Sequence, residues 1–375
     1  MMRVIGVVVL LFGVGFGAIT TASAAFRAMA STYFETGSQM WSPNGQAVVF
    51  ARGSKTNILN TELYIMDTTT GHVQQMTNDG AFLQSPTWSP DGTQIAMLWT
   101  PERGGSAEII TLPAEGGAQR QITQDGLHKT QPVWSPDGTR IAYFATDFDA
   151  RYELWITDLN GSTRLLTSDV QYPYDFPSAW AGERIAVPLQ QTTAIFDTVS
   201  GTLRKELPVW SREFAWSPDG TQLALFLGVD QGEYARGVYL WDSTADTFES
   251  LVTRGGDVID LNWSDESLYY MVFGGAGGFT GRRVYRRDLE TREAHQLTDQ
   301  GHEFNEFMQV SPDGTRIVFG GRYALHVMDA RNGTVALQYD PYLSAEHNAR
   351  QISLFSIVIG GLLVMLPGLV GGKRL

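Results

Sequence analysis

Tryptophan recurs at Trp41, Trp88, Trp134, Trp180, Trp216 and Trp263, and the spacing between neighbours is 46 or 47 residues except for one interval of 36 between Trp180 and Trp216. A further 47 residues on, the same surrounding phrase returns with Val310 in the tryptophan position. A period in the forties marks a repeat architecture in which no unit can bury its own apolar face, so the copies must stack in a row or a ring. This one regularity excludes most other folds for a chain of this length.

Laid over one another, the copies share one order: an aromatic before Ser-Pro-Asp-Gly, a short apolar run, a loop, a second apolar run ending in Asp, a Gly turn, and a polar run ending in Thr. Four short strands per unit account for it. In the third copy the second run is Arg140, Ile141, Ala142, Tyr143 and Phe144, apolar on both of its faces. Strands covered on both sides lose the usual alternation of apolar and polar residues. A radial stack imposes such double cover, because each small sheet lies between two others. The expectation is an all-β chain, a seven-bladed β-propeller with four-stranded antiparallel blades, within the range of blade numbers that propellers use.

The turn chemistry agrees. Proline presets φ at the first central turn position, Asp bonds the backbone two residues on, and Gly takes the left-handed conformation that strains a residue with a Cβ. Pro90, Asp91 and Gly92 are therefore read as turn makers, and Asp67, Asp158, Asp197, Asp242, Asp288 and Asp329 as hairpin caps rather than catalytic groups. The fourth copy is worn: Trp180, Ala181, Gly182, Glu183 and Arg184 replace the usual phrase. Burying one tryptophan is worth at most roughly 4–6 kcal/mol by area, which assigns these indoles to the core.

With Trp-Ser-Pro-Asp-Gly at 88–92, 134–138 and 216–220, the chain resembles the TolB-like, WD-repeat-like family of β-propellers over about residues 38–339. The resemblance implies the fold. It leaves the activity open, because such propellers serve as periplasmic partners of envelope lipoproteins, as domains gating peptidases, and as some pectin-fragment lyases, and fold does not imply function.

Residues 1–24 begin with Arg3, continue through an apolar stretch to Ile19 and end in Ala22, Ser23 and Ala24, the small-residue pattern of a signal-peptidase site. They are expected to be a secretory signal, or else an uncleaved N-terminal anchor. At the other end, 352–370 is a run of 19 uncharged residues between Arg350 and Lys373–Arg374. As a helix it reaches about 28 Å at about 1.5 Å per residue, close to the roughly 30 Å hydrocarbon core of a bilayer. A core helix or a processed sorting tail is the alternative. The expected organisation is thus a signal or anchor at 1–24, a propeller at 25–339, a linker at 340–351, a transmembrane helix at 352–371 and a cytoplasmic basic tail at 372–375. Positive charge on the tail side places the propeller on the extracytoplasmic side of the cell membrane, held by a single pass.

A hydrophobic fraction of 43% suffices for a core, and 40 glycines suit many tight turns. The absence of cysteine excludes disulfides, thiol nucleophiles and thiolate metal sites. A net charge of −13 argues against nucleic acid as a partner. Arg282, Arg283, Arg286 and Arg287 are the local exception, readable as an anion patch or as a solvated strand paired to acids.

Function in propellers gathers on the face carrying the blade-to-blade loops and the loops between second and third strands. Here those loops hold Phe82, Trp99, His128, Tyr172, Tyr174, Phe176, Trp210, Arg212, His302, Glu303 and Glu306, and aromatics beside charges have the composition of a recognition surface. His302–Glu303 lacks the second histidine of a zinc-protease helix, the glycines of 274–281 lack a Lys-Ser/Thr pair, and Asp147 with Asp149 lacks a full set of calcium ligands. No nucleophile elbow is present. No catalytic residue, metal or cofactor is therefore assigned. The expected function is a membrane-anchored scaffold binding a protein or glycan of the cell envelope through that loop face. The alternative is a polysaccharide lyase or hydrolase using His128, His302 and nearby carboxylates at the channel mouth.

Overall fold

The computed structural model describes residues 34–35, 40–53, 60–101, 105–146, 152–170, 180–211, 213–253, 257–264, 266–273, 282–298, 304–321 and 324–339. These form seven four-stranded sheets, each built from consecutive, antiparallel strands. The blades span 34–75, 82–121, 128–170, 180–207, 214–253, 257–296 and 304–339. The fold expected from the repeat is the fold observed. No helix is present among the described residues, and hence none long and apolar enough to cross a membrane. The expected segments 1–24 and 352–371 lie outside the described residues, as do 274–281, Asp147 and Asp149.

The double cover read from the third copy is visible in the packing. In the second strand of blade 3 (Arg140–Thr146), Ile141, Tyr143 and Ala145 join Trp134 in the core shared with blade 2. Ala142 and Phe144 join the core shared with blade 4. Each interface is thus a separate apolar layer, and seven such layers replace a single central core.

The repeated turn is closed by its side chains. Gly92 takes φ 72° and its N–H donates to Ser89 O at 2.9 Å. Ser89 Oγ donates to Asp91 Oδ1 at 2.6 Å and accepts from Gln94 N at 2.9 Å, so one hydroxyl ties the turn to the strand that follows. The hairpin aspartates do cap: Asp67 Oδ1 accepts from the N–H groups of Thr69 and Thr70 at 2.8 and 2.7 Å, and Asp242 Oδ1 from those of Thr244 and Ala245 at 2.8 Å. Those N–H groups hold both carboxyls below the usual range.

A second recurring device joins blade to loop. Glu62 accepts from Thr77 Oγ1 at 2.6 Å and Gly80 N at 3.2 Å, and Glu108 accepts from Thr123 Oγ1 at 2.6 Å and Gly126 N at 2.9 Å. Each glutamate thereby anchors the end of its outer strand and the loop leading to the next blade.

Among the described residues blades 1 and 7 are each completed by consecutive strands, so the ring closes by packing between them. Blades 7 and 1 share an apolar layer of Met40, Trp41, Phe50, Val318, Leu325 and Val327 among others. Met40 N donates to Gln309 Oε1 at 2.7 Å, and Arg52 Nη1 to Tyr339 Oη at 2.8 Å.

Candidate functional site: a tryptophan-lined mouth

The first strand ends at the tryptophan position in blades 2, 3, 5 and 7 and one residue past it in blades 4 and 6, and in blade 1 Trp41 bridges Val48 at the same point, so the turns that follow gather at one end of the ring. There they surround a cavity of about 800 Å³. Its wall carries Trp41, Trp88, Trp180, Trp216, Trp263 and Val310 from the first strands, and Pro43, Pro90, Pro136, Pro218 and Pro312 from the turns. Four of these indoles are buried at 4–8% exposure and show the mouth only an edge, whereas Trp263 is half-buried. The tryptophans thus serve packing and lining together.

Hydrogen bonds fix the indoles across the interfaces. Trp41 Nε1 donates to Gln309 O at 3.1 Å, and Trp134 Nε1 to Thr87 O at 3.2 Å, in each case a carbonyl of the preceding blade. From that same blade an arginine just after the turn stacks on the ring: Arg140 on Trp180 at 5.6 Å, Arg184 on Trp216 at 4.9 Å, Arg316 on Trp41 at 5.3 Å. Their guanidinium forks donate to turn groups of the following blade, Arg140 to Thr198 O at 2.7 Å and Arg184 to Ser243 Oγ at 3.2 Å and to Gly220 O. Guanidinium planes suit this combined stacking and donation.

The worn fourth copy gives the mouth its polar side. Where five of the other turns place proline, Ala181, Gly182 and Glu183 line the wall, joined by Arg184, Arg204 and Asp219. Arg204 Nε donates to Asp197 Oδ2 at 2.7 Å, with Glu183 at 3.4 Å from its Nη2. The Ser200 N–H and then Arg204 hold the Asp197 carboxyl well below the usual carboxylate range. The mouth therefore offers apolar edges around most of its rim and paired charges on one flank.

The loop face expected to bind lies at the opposite end. Phe82 opens the first strand of blade 2 opposite Thr100, one residue from the Leu83–Trp99 pair. His128 opens that of blade 3 opposite Thr146. Trp210 sits between blades 4 and 5, its backbone N–H donating to Gln231 Oε1 at 2.6 Å. These four are half-buried and share one face. Tyr172, Tyr174, Phe176, Arg212, His302 and Glu303 lie outside the described residues, and of Glu306 only the backbone is described. Among the described residues no group of three or more His, Asp or Glu side chains is placed to hold a metal.

Two features carried no readable signal in the sequence. Lys129, its side chain fully buried between blades 2 and 3, pairs with Glu108 at 2.9 Å and with Asp125. Ser85, Gln131 and Asp260, each three residues before a tryptophan, have φ of 49–52° at bulges in their first strands. The arginine-rich strand Arg282–Asp288 is the third of blade 6, and Val284 anchors it in the core shared with blade 7. Arg286 donates to Ser267 Oγ at 3.2 Å and Tyr285 stacks on Tyr270, so the strand is integrated into its blade.

This geometry defines a seven-bladed β-propeller with a tryptophan-lined mouth at one end. The family model of the TolB beta propeller domain matches residues 18–187, just under half of the chain, so over that span the sequence is similar to TolB-like β-propellers. Among solved structures, a chain from a structural and mechanistic study of two prolyl endopeptidases matches at 13% identity and a TM-score of 0.63, over 86% of this chain and 52% of that one. The β-propeller domain of the Trilobed protease from Pyrococcus furiosus, described as having an open velcro topology, matches at 15% identity and a TM-score of 0.60, over 83% and 97%. TolB from Acinetobacter baumannii matches at 18% identity and a TM-score of 0.46, and the chain spans 61% of its length while 79% of this chain is covered. No curated protein sequence matches. At these identities the likenesses establish the fold alone.

Proposed function

We propose that this chain is an exported, membrane-anchored propeller that binds a protein partner at the tryptophan-lined mouth. The observation carrying this reading is the cavity itself: its volume falls in the range of roughly 300–1,000 Å³ typical of ligand sites, and it pairs apolar edges with a few convergent polar groups. Aromatic and proline surfaces supply contact area at low entropic cost, and the flank of Glu183, Arg204 and Asp219 supplies orientation. The anchor rests on the apolar segment 352–370 and its basic flank, and the extracytoplasmic placement on the signal pattern at 1–24. The aromatic loop face around Phe82 and Trp210 is the second surface available to the same partner.

The test is site-specific photo-crosslinking in intact cells, with the reactive residue at Glu183 or Pro90 on the mouth and at Phe82 or Trp210 on the loop face. Discrete protein adducts from the mouth positions support the reading, and adducts confined to the loop face move the site there. No adducts from either, together with cleavage of a sugar polymer by the purified propeller, would overturn it in favour of an enzyme.

A further inference from the structure

We infer that the propeller stands with its loop face toward the bilayer and its tryptophan-lined mouth opening away from it. The inference rests on the anchored reading above and adds to it the direction from which a partner arrives.

The argument starts from strand direction. First strands run toward the mouth, and with four antiparallel strands per blade the fourth strand runs back. The first strand of blade 1 therefore enters the ring, and the fourth strand of blade 7 leaves it, at the loop face. One side chain joins the two places. Arg52 lies opposite Phe34 in the register of blade 1, is 5% exposed, and reaches across to Tyr339 Oη at 2.8 Å. Its guanidinium also stacks on Tyr64 at 4.6 Å, which fixes its direction. The chain thus enters and leaves the propeller beside a single seam on a single face.

Lengths then favour one orientation. Twelve residues, 340–351, separate the last strand from the apolar segment, a reach of at most about 40 Å when fully extended. A seven-residue strand is about 23 Å long at about 3.3 Å per residue. To bring the mouth to the bilayer, the linker must first run back along the whole edge of the blade, which consumes more than half of that reach. If the N-terminal apolar segment is also retained, its connection meets the same demand at the same seam. With the loop face inward neither connection is stretched.

The consequence is a distinction between partner classes. A mouth facing away from the bilayer receives a soluble partner or one borne on another envelope layer. A neighbour embedded in the same membrane meets the loop face instead.

The chain has no cysteine, so single substitutions can be labelled cleanly. Val199, 56% exposed in the hairpin between the third and fourth strands of blade 4, marks the mouth side. Val229, 62% exposed between the second and third strands of blade 5, marks the loop side. The full chain is reconstituted into liposomes carrying a headgroup-linked acceptor dye, and energy transfer from a donor on V199C or V229C is measured. The expected result is transfer from V229C roughly twofold or more above that from V199C, given faces about 23 Å apart. Equal transfer, or stronger transfer from V199C, overturns the orientation while leaving the anchor intact. Alkaline carbonate treatment of the same liposomes tests the anchor separately: release of the protein refutes the anchor, and the orientation falls with it.

Discussion

Arg316 of the last blade stacks on Trp41 of the first at 5.3 Å, and its Nη1 donates to Thr68 Oγ1 at 2.7 Å, while its Nη2 reaches Gly45 O. At every other interface the two blades are also joined by the continuing chain. Here, where each blade is completed by consecutive strands, this arginine, Gln309, Arg52 and the apolar layer carry the closure. Arg316→Met keeps the stem and removes the fork. Charge-assisted hydrogen bonds contribute about 1.5–3 kcal/mol each and the fork makes two, so a loss of about 3 kcal/mol is expected in urea denaturation. Arg140→Met, at an interface with chain continuity, is expected to lose less. Equal losses would show that the closing seam has no special dependence on its arginine.

Lys129 makes the second prediction. Its ammonium is out of water between two carboxylates, and Glu108 already spends its other lone pairs on Thr123 and Gly126. Removing one partner of a buried ion pair leaves an uncompensated charge and costs about 3–5 kcal/mol. Lys129→Met should therefore destabilise by that order, and Lys129→Met with Glu108→Gln should recover part of it. The check is a double-mutant cycle by chemical denaturation, in which strict additivity would refute the coupling.

What could be read from the sequence was what is local. Asp67 and Asp242 bond N–H groups two and three residues on, and Asp91 bonds within its own turn, so short-range pattern sufficed to find them. The tryptophan period gave away the blades for the same reason, as each repeat writes its own strands. The mouth was not legible. That one indole both fills an interface and lines a cavity depends on ring closure, which brings Trp41 against residues 268 positions away. Arg140, Arg184 and Arg316 recur just after the turn, but their partners lie in another blade, and Lys129 meets Glu108 only when blades 2 and 3 pack together. The worn fourth copy read as decay of the turn, and its consequence, a polar flank at Glu183 and Arg204, needed the other blades around it.

The turn aspartates set an acid limit. Asp91 is held below the usual range first by the Ser89 hydroxyl and then by the Thr93 N–H, and Asp219 likewise by Ser217 and Thr221. A carboxyl whose folded pKa lies below its unfolded value of about 3.9 stabilises the fold above that value, and the contribution is lost as pH falls toward the folded one. Stability should accordingly decline as the pH drops below about 5. Blade 1 shows what removes the proton linkage without losing the turn: Asn44 Oδ1 accepts from Ser42 Oγ at 2.7 Å and from Gln46 N at 3.0 Å in the same arrangement. Asp91→Asn with Asp219→Asn should keep the turns, be somewhat less stable than the parent near pH 7, and fall less steeply in acid, so that the two converge at low pH. Urea midpoints across pH check this, and parallel acid limbs would exclude these turns as the source.

The mouth itself is tested by separating its lining role from its packing role. Trp88 is buried in the layer it shares with Leu83, Ile95 and Met97, so Trp88→Ala should cost about 3–5 kcal/mol whatever the partner does. Its binding phenotype would be uninterpretable alone. Trp263 also lines the cavity but is half-buried, and burial scales the cost, so Trp263→Ala should lose about half as much. Its effect on a mouth partner should be large, since an aromatic at the centre of a desolvated contact can carry 2 kcal/mol or more of binding, about thirtyfold in affinity. Phe82→Ala, at the opposite end of the strands, should leave such a partner unaffected. Crosslinking yield from Glu183 in each background, scaled to folded protein, reads the difference directly. A yield unchanged by Trp263→Ala and reduced by Phe82→Ala would relocate binding to the loop face, where aromatic side chains beside charges were first expected to form it.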